Sequence, residues 1–281
     1  MGKFNLLLSV CLLIGISSCS DEDDTLLPRI PTEETANDED NSEDAADNDT
    51  PHIPNADCVA YSDANGDIAF IPADFKISGN PTERTIKTGL VVIGPDGSEY
   101  VWIPTSTTEL AVRDFGSYFS GGSLSGYADE TSLALYREMT ESVEEYGGFY
   151  IGRYEASYGE EGIRSKTIIP RVNRCPPPDI PGRIWVRFSP QDATIACRNL
   201  YRDNSTVKGF FPWGINWDTA LQWLIDSGCL TMKDVAEDST SWGNYSNDSF
   251  SPNANGNYTG RYEEAKTNNI YDLAGNNWEW T

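Results

Sequence analysis

Asn269-Ile270-Tyr271-Asp272-Leu273-Ala274-Gly275-Asn276-Asn277-Trp278-Glu279-Trp280-Thr281 joins a polar glycine turn to an alternating aromatic strand. Gly275-Asn276-Asn277 is turn chemistry, because Gly and Asn tolerate positive φ at little cost. Trp278 and Trp280 then point to one face and Glu279 and Thr281 to the other, the period of a half-buried strand. A tight turn therefore feeds a strand that anchors two large rings in a core.

Working back from this stretch, the chain supplies the rest of a mixed framework. Gly89-Leu90-Val91-Val92-Ile93 and Glu99-Tyr100-Val101-Trp102-Ile103 are β-rich runs around Pro95-Asp96-Gly97, a hairpin signal. From about Asp129 to Tyr146 a helical period places Tyr136, Met139, Val143 and Tyr146 on one side, and Gly147-Gly148 stops it. A strand from Phe149 to Glu155 follows, its aromatic residues read as core. A second helix opens with Ser189 as N-cap, Pro190 in the first turn and Asp192 at the positive end of the dipole. Ala193, Ala196, Cys197, Leu200 and Tyr201 share its apolar face. A third, about Asp218 to Ser227, carries Leu221, Trp223, Leu224 and Ile225 and ends at Gly228.

The closing stretch closely resembles the NxxGNxWEWT signature of formylglycine-generating-enzyme-like domains, also called sulfatase-modifying-factor domains. Glu99-Tyr100-Val101-Trp102-Ile103-Pro104 and Gly147-Gly148-Phe149-Tyr150-Ile151-Gly152-Arg153-Tyr154-Glu155 resemble the opening strands of the same family. The resemblance spans about residues 84–281 and implies an α+β fold of the C-type lectin type, loop-rich, with short twisted strands and about three helices. Related domains continue with further strands, so the resemblance also implies that the chain is incomplete at its C-terminus.

Calcium is the ligand this resemblance implies. Carried over residue by residue, its ligands are the Asp272 side chain, the backbone oxygens of Gly275 and Asn277, and the Glu279 carboxylate, with Asp standing where the family motif usually has Asn. Oxygen-only ligation suits a hard cation of this size. A Gly turn held by its own hydrogen bonds is the alternative. Asn244 and Tyr245 resemble part of a second such site. Catalytic members of the family use a cysteine pair beyond the WEWT motif, and none of Cys58, Cys175, Cys197 and Cys229 matches it, so no copper site and no catalytic residue is identifiable. An iron-dependent branch needs several histidines, and His52 is the only one. In an exported protein these four cysteines make up to two disulfides with three possible pairings, or Cys197 stays a free buried thiol.

Residues 238–260 have the most unusual composition, with 15 of 23 being Ser, Asn, Gly or Tyr and Trp242 and Phe250 added. Tyr and Trp give rigid amphipathic contact area while Ser, Gly and Asn give adaptable hydrogen bonds, as in binding loops. Trp242, Asn244, Tyr245 and Tyr258 are the candidate binding residues; a merely structural loop is the other reading. Asp63-Ala64-Asn65-Gly66-Asp67 alternates oxygen side chains like a calcium loop, but Ile68 and the missing Glu make it a turn within a short strand pair.

The amino-terminal part reads differently. Lys3 and the apolar run Phe4 to Ile16 form a signal peptide, 1–18, and Ile16-Ser17-Ser18-Cys19 resembles a bacterial lipobox, which implies Cys19 as the acylated residue; an ordinary cleaved signal with an incidental cysteine is the alternative. Ser20-Asp21-Glu22-Asp23-Asp24 resembles the signal that sends lipoproteins of Bacteroidetes-type bacteria to the cell surface. Residues 20–57 hold 14 Asp or Glu against Arg29 alone, so 19–57 reads as a disordered tether, followed by a short extension, 58–83, and the domain, 84–281. The net charge of −24 disfavours nucleic acid as a partner. These readings give an outer-membrane, lipid-anchored protein whose non-catalytic domain binds an extracellular protein or glycan or serves in envelope assembly; the alternative is a formylglycine-generating oxidase acting on a sulfatase cysteine, its catalytic cysteines lying outside this chain.

Overall fold

Short runs rich in Val, Ile, Tyr and Trp favour the pleated, buried environment of a sheet interior, and three such runs form the centre of the fold. The computed structural model describes residues 6–9, 57–110, 130–159, 162–165, 190–212, 214–237, 239–245, 259–260 and 262–275. In chain order these form β1 (Leu6–Ser9), β2 (Val59–Ser62), β3 (Ile68–Ile71), β4 (Lys76–Ile77), β5 (Val91–Ile93), β6 (Glu99–Pro104), α1 (Glu130–Tyr146), β7 (Gly148–Gly152), β8 (Ala156–Gly159) and β9 (Gly162–Ser165). Then come α2 (Pro190–Asn199), β10 (Val207–Phe210), α3 (Gly214–Asp226), α4 (Met232–Ala236), β11 (Lys266–Thr267) and β12 (Ile270–Tyr271). Helices and mostly antiparallel sheets make this an α+β protein.

Six strands pair in the order β10-β1-β7-β6-β5-β4. β4 to β7 are antiparallel neighbours, with Val91 opposite Val101 and Val101 opposite Ile151. The predicted hairpin closes as read: the Gly97 amide bonds the Gly94 carbonyl, Gly97 adopts φ +79°, and the Asp96 carboxylate accepts the Ser98 amide at 2.9 Å. Successive residues of β6 enter opposite layers. Tyr100 and Trp102 join Val92, Tyr150, Phe70, Phe75 and Cys197 on one side. Val101 and Ile103 join Phe149, Ile151, Phe210, Met139, Val143, Leu221 and Leu224 on the other. Cover on both faces explains the continuous apolar runs Tyr100–Ile103 of β6 and Phe149–Ile151 of β7.

The predicted helices are present with their apolar faces inward. In α1, Met139, Val143 and Tyr146 are buried, and Gly147 ends the helix at φ +73°. In α2, Cys197 is fully buried, with Ala196, Leu200 and Tyr201 packed beside it; the expected N-cap Ser189 lies outside the described residues. α3 begins at Gly214, four residues before the predicted start, because Asn216 is satisfied inside the helix by the Met139 sulfur at 3.2 Å and Thr219 bonds the Ile215 carbonyl at 2.7 Å. α4 is an additional short helix held by a capping box between Thr231 and Asp234.

Residues 58–83, the expected short extension, supply the edge strand β4 and the hairpin β2–β3, whose Phe70 belongs to the same core as Trp102. The 63–67 segment is a turn, as read. Asp63 accepts the amides of Asn65 at 2.8 Å and Asp67 at 3.2 Å, and its other oxygen accepts the Ile86 amide at 2.9 Å. β1 lies within the predicted leader, and its backbone is seated parallel to β7 and β10.

Candidate functional site

Asn268 and Asn269, at φ +43° and +69°, turn β11 back onto β12, with Lys266 opposite Tyr271 and Thr267 opposite Ile270. Two consecutive left-handed residues are what a two-residue hairpin requires, and Asn accepts that conformation at low cost. Both side chains also anchor the turn: Asn269 donates to the Gly89 carbonyl at 2.8 Å and Asn268 to the Ser227 hydroxyl at 2.6 Å. Gly89 has no room for a side chain, since a Cβ there would lie 2.0 Å from the Asn268 carbonyl oxygen.

Immediately after β12, Asp272 adopts φ +57° and is fully buried. Its two oxygens collect donors from two separate segments. Oδ1 accepts the Asn244 side-chain amide at 3.0 Å and Oδ2 accepts the Gly260 backbone amide at 2.8 Å. The Thr259 hydroxyl bonds the same carboxylate, and also accepts the Glu155 amide at 3.0 Å. Burial raises the Asp272 carboxyl above its ordinary value, and the Gly260, Thr259 and Asn244 bonds only partly oppose this.

The segment before Asn244 is fixed independently. Trp242 inserts its indole into the second core layer and donates Nε1–H to the Asp234 carbonyl at 3.2 Å. The Asn244 amide bonds the Ala274 carbonyl at 2.8 Å, bridging Asn244 to Gly275. Gly275, at φ +85°, lies so close that a Cβ would be 2.5 Å from the Asn244 carbonyl oxygen. Tyr245 and Ser239 share a hydroxyl hydrogen bond of 2.6 Å. Residues 239–245 and 259–260 are therefore the two stems of the 246–258 segment, and both converge on Asp272.

Beside this clamp, Arg153 at the end of β7 extends its guanidinium to Glu83 and Glu99, both at 2.7 Å. The guanidinium also lies 5.4 Å and 5.6 Å from the ring centres of Tyr154 and Tyr271, which stack on each other at 5.0 Å. Burial pushes the Glu83 carboxyl up, but the Ser78 hydroxyl and Arg153 outweigh it and hold it below its ordinary value. The Tyr271 amide bonds the Arg153 carbonyl at 2.8 Å, and its hydroxyl donates to Glu263 at 2.6 Å. This cluster locks β12, and hence Asp272, to the central sheet. Glu99, Arg153 and Tyr154 were visible in the sequence only as strand-stretch residues, and no local signal marks Glu83 as the partner of Arg153.

Of the four residues expected to hold calcium, Asp272 and Gly275 are brought together, while Asn277 and Glu279 lie outside the described residues, as do Tyr258 and Cys19. Calcium takes six to eight oxygens. The described neighbours of Asp272 give it N–H and O–H donors, which hold the carboxylate in a hydrogen-bonded clamp. Among the described residues no group of three or more His, Cys, Asp or Glu is placed to hold a metal. Asn244, expected at a second site, is the donor to Asp272. Cys58, Cys197 and Cys229 are free thiols; burial raises Cys58 to about 11 and Cys197 to about 12, which keeps both protonated and unreactive. Compared with known proteins, the chain matches no family model, no curated protein and no solved structure.

Proposed function

We propose that this chain is a cell-envelope lipoprotein, anchored in the outer membrane through Cys19 and tethered by its acidic segment. Its domain, of the C-type lectin type seen in formylglycine-generating-enzyme-like proteins, binds an extracellular protein or glycan and does no chemistry of its own. The binding element is the Ser-, Asn- and Tyr-rich segment within 238–260. What supports this reading is the double attachment of Asn244 and Gly260 to one buried carboxylate. A segment whose stems are fixed and whose composition is adaptable combines low ordering cost with contact area, the physical requirement for recognition. Among the described residues no helix is long and apolar enough to cross a membrane; acylation of a single cysteine by several chains supplies an anchor by another route.

Two experiments test the reading. Metabolic labelling with an alkynyl fatty acid should mark the wild-type protein and not Cys19→Ala. Replacement of residues 246–258 by a Gly/Ser linker of equal length should abolish binding on a glycan array, and photo-crosslinking to outer-membrane proteins on intact cells, while leaving Tm within about 2 °C. Unchanged binding by the exchanged protein would refute the assignment to this segment.

A further inference from the structure

Asp63 holds the turn between β2 and β3 together. Its carbonyl oxygen accepts the Gly66 amide at 3.1 Å, and its carboxylate accepts the Asn65, Asp67 and Ile86 amides. The Asn65 side chain bonds the same carboxylate. Asp63 and Ile86 are buried, whereas residues 64–67 are exposed.

That exposed rim carries an asparagine followed by glycine. Every other described asparagine precedes a residue with a side chain, which hinders approach of the following nitrogen to the asparagine side-chain carbonyl. At Gly66 nothing hinders it: a Cβ built there would meet no atom within 4 Å, and the residue sits at φ +86°. Glycine moves out of that conformation without a steric barrier, so its nitrogen can turn onto Cγ of Asn65. Opposing this are two hydrogen bonds that must open, Gly66 to the Asp63 carbonyl and the Asn65 side chain to the Asp63 carboxylate. In an exposed turn their net strengths slow the step by on the order of a hundredfold.

We propose that Asn65 is a site of spontaneous modification, converted through a succinimide to aspartate and isoaspartate. The Gly66 nitrogen, its proton lost to hydroxide, attacks Cγ of Asn65. The N–Cγ bond forms, the Cγ–Nδ2 bond breaks, and Nδ2 leaves as ammonia. Water then opens the ring at Cγ to give aspartate, or at the backbone carbonyl to give isoaspartate. Water is the one co-reactant, and nothing is oxidised or reduced. Either product sets a second carboxylate beside that of Asp63, and like charges repel. Isoaspartate also lengthens the backbone between the amides of residues 65 and 67 that Asp63 collects. The modification therefore loosens the turn and its hold on Ile86. This inference does not rest on the binding role of residues 238–260.

The test incubates the full-length chain, folded and in urea, at mildly alkaline and mildly acidic pH. Conversion is read by the mass of the peptide carrying residue 65 and by labelling with an isoaspartyl methyltransferase. The folded chain should convert at no less than about one-hundredth of the unfolded rate, and faster at alkaline pH. A slower folded rate, or none, would overturn the site. Asn65→Gln, whose longer side chain closes a ring far more slowly, should keep its mass; a gain there would place the reaction at another residue. In the converted chain the Ile86 amide should exchange at least about tenfold faster than before incubation, and unchanged exchange would overturn the loosening.

Discussion

Replacing Asp272 by Gly removes the carboxylate without disturbing a backbone held at φ +57°, because glycine adopts that conformation freely. The Gly260 amide, the Asn244 side chain and the Thr259 hydroxyl then lose a shared acceptor in a fully buried site. Each orphaned buried donor costs about 1–3 kcal/mol, and three in one network add less than fully, so the expected loss is about 3–5 kcal/mol. At about 2–4 °C per kcal/mol for a domain of this size, Tm should fall by about 6–20 °C. Asp272→Ala should be lower again by about 1–2 kcal/mol, the strain of a side chain in the left-handed region. The pH dependence has a definite sign. Burial raises the folded-state pKa of Asp272, so the folded protein binds this proton more tightly than the unfolded chain. That part of the stability is present below the ordinary carboxylate range and is lost as pH rises through the folded value. The gap between wild type and Asp272→Gly, measured by urea denaturation, should therefore be larger at pH 4 than at pH 8. A gap below about 1 kcal/mol would refute the clamp, and one that widens towards pH 8 would show that its donors outweigh burial at Asp272.

Gly89→Ala should destabilise by more than about 2 kcal/mol, because its Cβ would sit 2.0 Å from the Asn268 carbonyl oxygen at a residue with φ +100°; a thermal melt matching wild type would contradict the fit. Arg153→Met should cost about 3–5 kcal/mol by leaving Glu83 and Glu99 without their common cation, read from the denaturant midpoint. The Glu83 share has the opposite pH sign to Asp272: its lowered pKa contributes stability above the ordinary carboxylate value, lost as pH falls through the folded one. Because Gly260, Asn244 and Thr259 already satisfy Asp272, 1 mM calcium or a chelator should leave Tm unchanged within about 1 °C; a calcium-dependent rise of several degrees that Asp272→Gly abolishes would establish metal ligation instead.

Local signals carried much of the framework. Pro95-Asp96-Gly97 gave its hairpin, Gly147-Gly148 its helix stop, and the spacing of Met139, Val143 and Tyr146 its buried face, because each depends on neighbours in the chain. What escaped depends on distant partners. β4 finds β5 across a connection that no periodicity describes, and α3 extends back to Gly214 because Asn216 meets Met139, 77 residues away. Asn268-Asn269 was a legible hairpin turn that the more prominent glycine turn overshadowed. At Asp272 the sequence revealed a carboxylate at a turn, the residue type common to a calcium ligand and a hydrogen-bonded clamp. The donors that build the clamp, Gly260 and Asn244, lie 12 and 28 residues away, out of reach of any local pattern.

The most direct test of the clamp is residue-resolved hydrogen exchange at the Gly260 amide, the donor to Asp272 Oδ2. The account predicts strong protection in the wild-type protein and at least tenfold faster exchange in Asp272→Gly. An equally protected Gly260 amide in both proteins would contradict it.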